Sequence, residues 1–332
     1  MMSPSMLLRS GGLVAVLAFA VAAPLMVSSR YDLGVLQLAL INALLVLGFN
    51  FTVGFTRRLS LGHIGFFAIG AYASALLTTE HDASPLVAMA VGVLIASAAA
   101  LVVSVLTNGL HAHYLTLATL GFGVIVQVVA TNWIDLTGGS NGVLGIPVPT
   151  AFGIELVEPE QQYYLALALL AAGAALMARI RSTKLGRQAA ALRQSERAAE
   201  SLGIRTDRIK TLTLVLSAAY GAVAGSLYAH TYGYVAPDAF SFALMLTVLA
   251  MLVVGGPGTI AGPILGAVIL TYLPEMARVG DEFWQLIYGV LLFVMVLWVP
   301  KGLAGLAQQA IALARRPPGR SASRPATEAV AR

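Results

Sequence analysis

Any chemistry in this 332-residue chain has to come from five histidines, scattered hydroxyls and amides, and a set of arginines, because cysteine is absent. That absence excludes disulfides, thiolate metal sites and thiol nucleophiles. His63 stands beside Ser60 at the start of an apolar run, where an imidazole can titrate, touch a solute or simply satisfy local backbone groups. His111 and His113 flank a short loop without metal-ligand spacing, and His230 closes another apolar run. The run Gly255-Gly256-Pro257-Gly258 is glycine-rich but lacks the lysine that reaches phosphates, and no G-x-x-x-x-G-K-[ST] occurs. No metal or other cofactor is expected. If ATP drives the activity, another polypeptide must bind it.

Asn50, Thr52, Tyr72, Ser74, Thr116, Gln127, Ser217 and Tyr228 are polar groups at or within apolar runs. Hydrogen bonds between helices account for most residues of this kind in a membrane. Ser60, His63, Tyr72, Gln127 and Ser217 are the candidates for lining or gating a pathway. The loop Gly138-Gly139-Ser140-Asn141-Gly142 could offer backbone donors to an anion, but it has no basic neighbour. It reads as a flexible turn or a docking surface for an extracytoplasmic protein.

The arginines concentrate between Arg179 and Lys210. Nine Arg or Lys residues lie there against Glu196, Glu200 and Asp207, so the positive-inside rule places this loop in the cytoplasm. Leu185, Ala189, Leu192, Ala199 and Leu202 fall on one stripe of an expected amphipathic helix, which suits contact with a partner protein. Gly203 is placed to end that helix and Thr206 to cap the next, with Asp207 in its first turn. The expected partner-contact residues are Leu185, Gly186, Arg187, Leu192, Arg193, Arg197, Ala198, Ala199, Glu200 and Gly203.

These residues have to be positioned by membrane helices. The chain is 58% hydrophobic and 11% charged, with mean hydropathy +0.83, whereas a soluble domain is roughly 25% charged. Ten apolar runs lie at about 11–29, 33–54, 61–78, 85–107, 113–131, 163–178, 211–231, 240–254, 258–274 and 284–299. An all-α polytopic membrane protein of about ten spans is predicted, several of them short, tilted or broken. Pro257, Pro263 and Pro274 mark one such break. The Ala20/Ala22 pair has signal-cleavage spacing, but an uncleaved first span is the expectation. Charge alternates between sides: Asn132 to Gln162 holds only acids, while the tail from Lys301 holds six cations and Glu328. Both termini are therefore expected in the cytoplasm, the net charge of +5 orients the protein, and a nucleic-acid partner is unnecessary. Trp133, Trp284 and Trp298 read as interfacial anchors. The tail at 311–332 is rich in Pro, Arg, Ser and Ala, so the expected domain division is a membrane domain at 1–310 followed by a disordered basic tail.

The spans hold essentially no Asp, Glu, Lys or Arg at their centres, where each would cost about 2.5–3.5 kcal/mol. An ion-driven transporter usually needs such groups to bind its driving ion, and a membrane-embedded enzyme would need a convergent cluster at one face. Neither is visible. Glycine is common, 33 of 332 residues, and its four-residue spacings, Gly221/Gly225 and Gly258/Gly262/Gly266, suit close helix packing.

Particular strings resemble the permease subunits of branched-chain amino acid ABC importers. They are Leu59-Ser60-Leu61-Gly62-His63 leading to Gly65-Phe66-Phe67-Ala68-Ile69-Gly70-Ala71-Tyr72, and Leu136-Thr137-Gly138-Gly139-Ser140-Asn141-Gly142. Ala198-Ala199-Glu200 with Leu202-Gly203-Ile204, Gly255-Gly256-Pro257-Gly258-Thr259, and Pro300-Lys301-Gly302-Leu303 follow in order. They cover about residues 35 to 305, and the acidic outer loop after Trp133 is similar to the longer of the family's two permeases. The family's cytoplasmic E-A-A-x-x-x-G motif aligns with Arg197, Ala198, Ala199 and Gly203, with arginine where the motif has glutamate.

The resemblance implies a subunit without covalent chemistry, in a bacterial inner membrane. It would pair with a homologous permease on two ATP-binding cassette subunits and receive solute from an extracytoplasmic binding protein. Branched-chain amino acids are the implied cargo. Urea, short amides, aromatic acids, or the sugars and nucleosides of related permeases are alternatives.

Overall fold

The computed structural model describes residues 20–24, 29–107, 109, 112–151, 153–277, 289, 302–303 and 305. Eight of the ten apolar runs fold as helices. The first is described only at 20–24, where it is helical, and the last, at 284–299, lies outside the described residues apart from residue 289. So does the tail at 311–332.

Helix α1 (Arg30–Phe49) breaks at Asn50 and continues as the four-residue α2 (Val53–Thr56). Then come α3 (His63–Glu80), α4 (Pro85–Thr107), α5 (Ala112–Asn132) and the short α6 (Ile134–Thr137). After these follow α7 (Pro159–Ser182), α8 (Lys184–Gln194), α9 (Glu196–Ser201) and α10 (Thr206–Tyr232). The helix pair α11 (Phe242–Gly255) and α12 (Ala261–Ala277) closes the described bundle. Local chemistry sets several boundaries. Pro159 opens α7, where its missing N–H costs nothing, and the Ser241 hydroxyl accepts from the Leu244 N–H to cap α11. Gly233, at φ +66°, ends α10.

Helix α10 is the centre of the packing, lying against α1, α3 and α4. Its approach to α3 is a backbone contact: a Cβ on Gly225 would sit 2.0 Å from the Phe67 carbonyl oxygen, and one on Gly70 would sit 2.3 Å from Ala222. Burial sorts the helices by role. The segment Arg30–Thr56 is 89% buried, while the α5 segment is 17% buried. The first is core, and the second presents its apolar residues outward. At 14 residues, α11 is about 21 Å long, short of the ~30 Å hydrocarbon thickness. It meets α12 through the turn Gly256–Ile260, so Pro257 marks a break between two packed short helices, whereas Pro263 and Pro274 lie within α12 and do not end it.

At the end opposite the basic loop, β1 (Val143–Leu144) pairs antiparallel with β4 (Tyr234–Val235), and β2 (Thr150–Ala151) with β3 (Ile154–Glu155). The first pair fastens the acidic loop onto the end of α10. His230 reinforces it: Nδ1–H donates to the Pro147 carbonyl at 2.8 Å, and Nε2 faces the Ser74 hydroxyl at 2.9 Å, itself 2.7 Å from Ser226.

Candidate functional site

The segment expected to be one amphipathic helix is two. Ser195 is extended (φ −158°, ψ 121°), and its hydroxyl accepts from the Ala198 N–H at 3.3 Å to cap α9. Stopping α8 at Gln194 redirects the chain. The expected stripe therefore faces inward: Gly186, Ala189, Leu192 and Ala199 are buried and Leu185 is half-buried, and Leu185, Ala189 and Leu192 belong to the same apolar core as Phe55, Met177 and Ile209. Leu202 departs from it and is 77% exposed. The apolar stripe is the seat of α8 and α9 on their own subunit, which corrects the expectation that it faces a partner. Arg187, Arg197, Ala198 and Glu200 remain exposed.

Gly203 does end α9, at φ +74°, with its N–H donating to the Glu200 carbonyl. Thr206 does not cap α10. Arg205 occupies the cap position, and the Thr206 hydroxyl donates to Glu200 Oε1 at 2.9 Å. Beside it, Glu200, Ile204, Arg205, Asp207 and Arg208 line an open groove of about 600 Å³. Lys210, one turn into α10, is buried and pairs with Glu196 of α9 and, at 3.5 Å, with Asp207. Burial pushes the neighbouring Arg58 guanidinium below its ordinary value, and Glu196 and Asp207 act against that shift.

Among the described residues, Arg193 alone of the loop's arginines reaches the turn between α11 and α12. Its Nη2 donates to the Pro257 carbonyl at 3.5 Å. Burial lowers its guanidinium from the usual value, and the like charges of Arg57 and Arg181 lower it further.

The pathway candidates separate into two groups. His63 and Ser217 meet: Nε2–H donates to the Leu45 carbonyl at 2.9 Å, Nδ1 lies 3.0 Å from the Ser217 hydroxyl, and the ring stacks on Phe49 at 5.2 Å. This joins α1, α3 and α10. Ser60 and Tyr72, by contrast, have buried hydroxyls without a hydrogen-bond partner among the described residues. Tyr72 packs 5.8 Å from Phe240. Ser60 lines a cavity of about 20 Å³ with Thr52, Thr56, Arg58, Thr119, Lys210 and Thr213, room for about one water. Gln127 is half-buried on α5, away from both groups.

Sequence reasoning missed three features here. The Glu196–Lys210 pair is 14 residues apart, beyond any helical spacing rule. Asn50 binds the glycine turn 208 residues away. The hydroxyls around the Ser60 cavity come from four separate segments, and only a run of Thr and Ser near the basic loops could have hinted at it.

Comparison with known proteins agrees with this architecture. The family described as branched-chain amino acid transport system / permease component matches residues 32–296. The high-affinity branched-chain amino acid transport system permease protein LivM of Escherichia coli is 36% identical over 324 residues, covering 91% of this chain and 76% of that protein. LivH of Salmonella typhimurium, a permease protein of the same transport system, is 27% identical over 283 residues, 79% of this chain and 91% of that protein. The autoinducer 2 import system permease protein LsrC of Yersinia pseudotuberculosis is 30% identical over 169 residues, 48% of this chain and 45% of that protein. With its buried broken helix, its paired short helices and a match over most of its length, the chain belongs to the branched-chain amino acid transport system permease family and is a polytopic helical membrane permease.

Proposed function

We propose that this chain is a LivM-type subunit of an ATP-driven importer that passes branched-chain amino acids into the cytoplasm. The observation that carries the reading is the 36% identity to LivM across 91% of the chain. Spans without central charges suit a zwitterion with an aliphatic side chain and supply no ion-coupling group.

In this reading the second permease is a homologue of the LivH kind, seated against the outward apolar residues of α5. Two ATPase subunits dock from the cytoplasm on the segment 179–210. The exposed Leu202, Arg197 and Glu200 and the neighbouring groove support that placement, since an isolated large apolar side chain among charges is a ready protein contact. The loop bearing Gly138–Gly142, fastened by β1 and β4, receives an extracytoplasmic binding protein. Both termini are cytoplasmic, and alternating access follows from movement of α8 and α9 when the ATPases close. Ser60 and Tyr72 are the pathway residues that the unpaired hydroxyls favour. His63 and Ser217 act through packing.

The test is uptake of labelled leucine, isoleucine and valine by cells lacking only this chain and by the same cells with it restored. Rescued uptake is expected. Unchanged uptake, with uptake of urea, a short amide or a sugar lost instead, would move the substrate within the permease class.

A further inference from the structure

We infer that Arg193 is a positioning residue, which ties the cytoplasmic helices α8 and α9 to the turn between α11 and α12 and through it to the break in α1. The inference rests on the proposed ATP-driven reading and adds a route by which force reaches the spans. The contact is built from both sides. Arg193 donates to the Pro257 carbonyl, and its guanidinium lies against Gly258, where a Cβ would sit 1.9 Å from Nη1. Only glycine leaves room for that approach, and Gly258 is at φ +86°, a conformation glycine adopts without strain.

The far side of the same turn is held by Asn50. Its Oδ1 accepts from the Gly258 N–H at 2.8 Å, and its Nδ2 donates to the Thr259 carbonyl at 2.6 Å. Asn50 is fully buried at the point where α1 breaks, so both ends of its amide are committed to one turn. The turn is also fastened internally: the Thr259 hydroxyl donates to the Gly256 carbonyl and accepts from the Gly262 N–H, each at 3.1 Å. A rigid turn gripped on one side by the loop and on the other by a core helix moves both together.

The α8–α9 unit is then attached along two routes, the first reinforced by the Thr206–Glu200 bond. Glu196 carries movement through Lys210 into α10. Arg193 carries it through Pro257 and Gly258 into α11, α12 and α1. A half-buried guanidinium with Arg57 and Arg181 nearby is costly to hold, so a contact role explains its position better than orientation of the loop, which the exposed arginines already serve. Arg193 is thus separated from Arg187 and Arg197 and removed from the set facing the ATPase.

The natural absence of cysteine makes a direct test clean. Spin labels on Leu101→Cys of α4 and Leu265→Cys of α12, both exposed, are measured in the full complex with and without ATP and vanadate. Wild type, Arg193→Ala and Asn50→Ala are compared, with ATP hydrolysis and uptake followed in parallel. The expected result is a nucleotide-dependent change in label distance in wild type that both variants lose. ATPase subunits stay bound, hydrolysis continues, and solute moved per ATP falls about tenfold or more. An unchanged distance shift in Arg193→Ala overturns the inference, as does loss of the ATPase subunits from that variant, which would make Arg193 a partner contact. Gly258→Ala, which attacks the contact from the other side, should give the same loss. If the substrate reading alone is wrong, wild-type leucine uptake fails while the label shift and its dependence on Arg193 stand.

Discussion

Lys210 is buried near the start of α10 and donates to Glu196 of α9, 14 residues earlier in the chain. Arg197 stands beside it, and Glu196 keeps an acid of the same helix engaged with the bundle. Glu196→Gln should leave Lys210 with Asp207 alone at 3.5 Å. Glu196 is half-exposed, so solvent screening keeps the cost near about 1 kcal/mol. A small fall in thermal midpoint in detergent is expected, accompanied by weaker coupling of hydrolysis to uptake. Lys210→Ala should cost more, because the buried end of α10 also loses packing.

His63 is held by Leu45, Ser217 and Phe49, so its removal should act on stability before it acts on transport. His63→Ala is expected to destabilise by about 3–5 kcal/mol, through a cavity and two broken hydrogen bonds. Ser217→Ala should cost about 1 kcal/mol. Thermal unfolding of the purified subunit measures both. A His63→Ala protein of normal stability that fails to transport would place the imidazole in the pathway instead.

Tyr72 and Ser60 should behave oppositely. Each hydroxyl is buried without a partner among the described residues, and removing an unpaired buried hydroxyl is neutral or stabilising by about 1 kcal/mol. Tyr72→Phe and Ser60→Ala are expected to keep or raise the thermal midpoint while raising the KM for uptake. A lowered midpoint with unchanged KM would assign these hydroxyls to the fold.

The α3–α10 contact leaves no space for side chains. Gly225→Ala would put a methyl 2.0 Å from the Phe67 carbonyl, and forcing the helices apart should cost about 1–3 kcal/mol or more. Gly34→Ala, in α1 but with nothing within 4 Å, should change stability by less than about 1 kcal/mol. Membrane expression and unfolding of the two variants measure the difference.

The helices were legible before any coordinates because each is written locally. Apolar runs of span length and Gly203 at a helix end act over a few residues, and eight runs became helices close to their expected bounds. The membrane class and the family strings followed from the same local text. The candidate site was legible only as a region. The stripe from Leu185 to Leu202 reads as one helix face until Ser195, extended by its own capping bond, turns the chain. A helical wheel has no term for that turn, nor for which neighbour covers the face. It also gave Arg187, Arg193 and Arg197 one role, although among the described residues only Arg193 of the three reaches the turn between α11 and α12.

What the amino-acid sequence determined by itself was therefore the eight apolar runs that fold as helices, the concentration of positive charge between Arg179 and Lys210 and the membrane class, all of them sums of short-range preferences and transfer energies. What only the tertiary structure decided was which polar groups meet: Glu196 with Lys210, His63 with Ser217, Asn50 and Arg193 on the same glycine turn. Those pairings join residues 14 to 208 apart. The His63–Ser217 pairing follows from the close backbone approach of α3 and α10 at Gly70 and Gly225, and every such pairing needs the tertiary fold because a hydrogen bond reaches no further than about 3.5 Å.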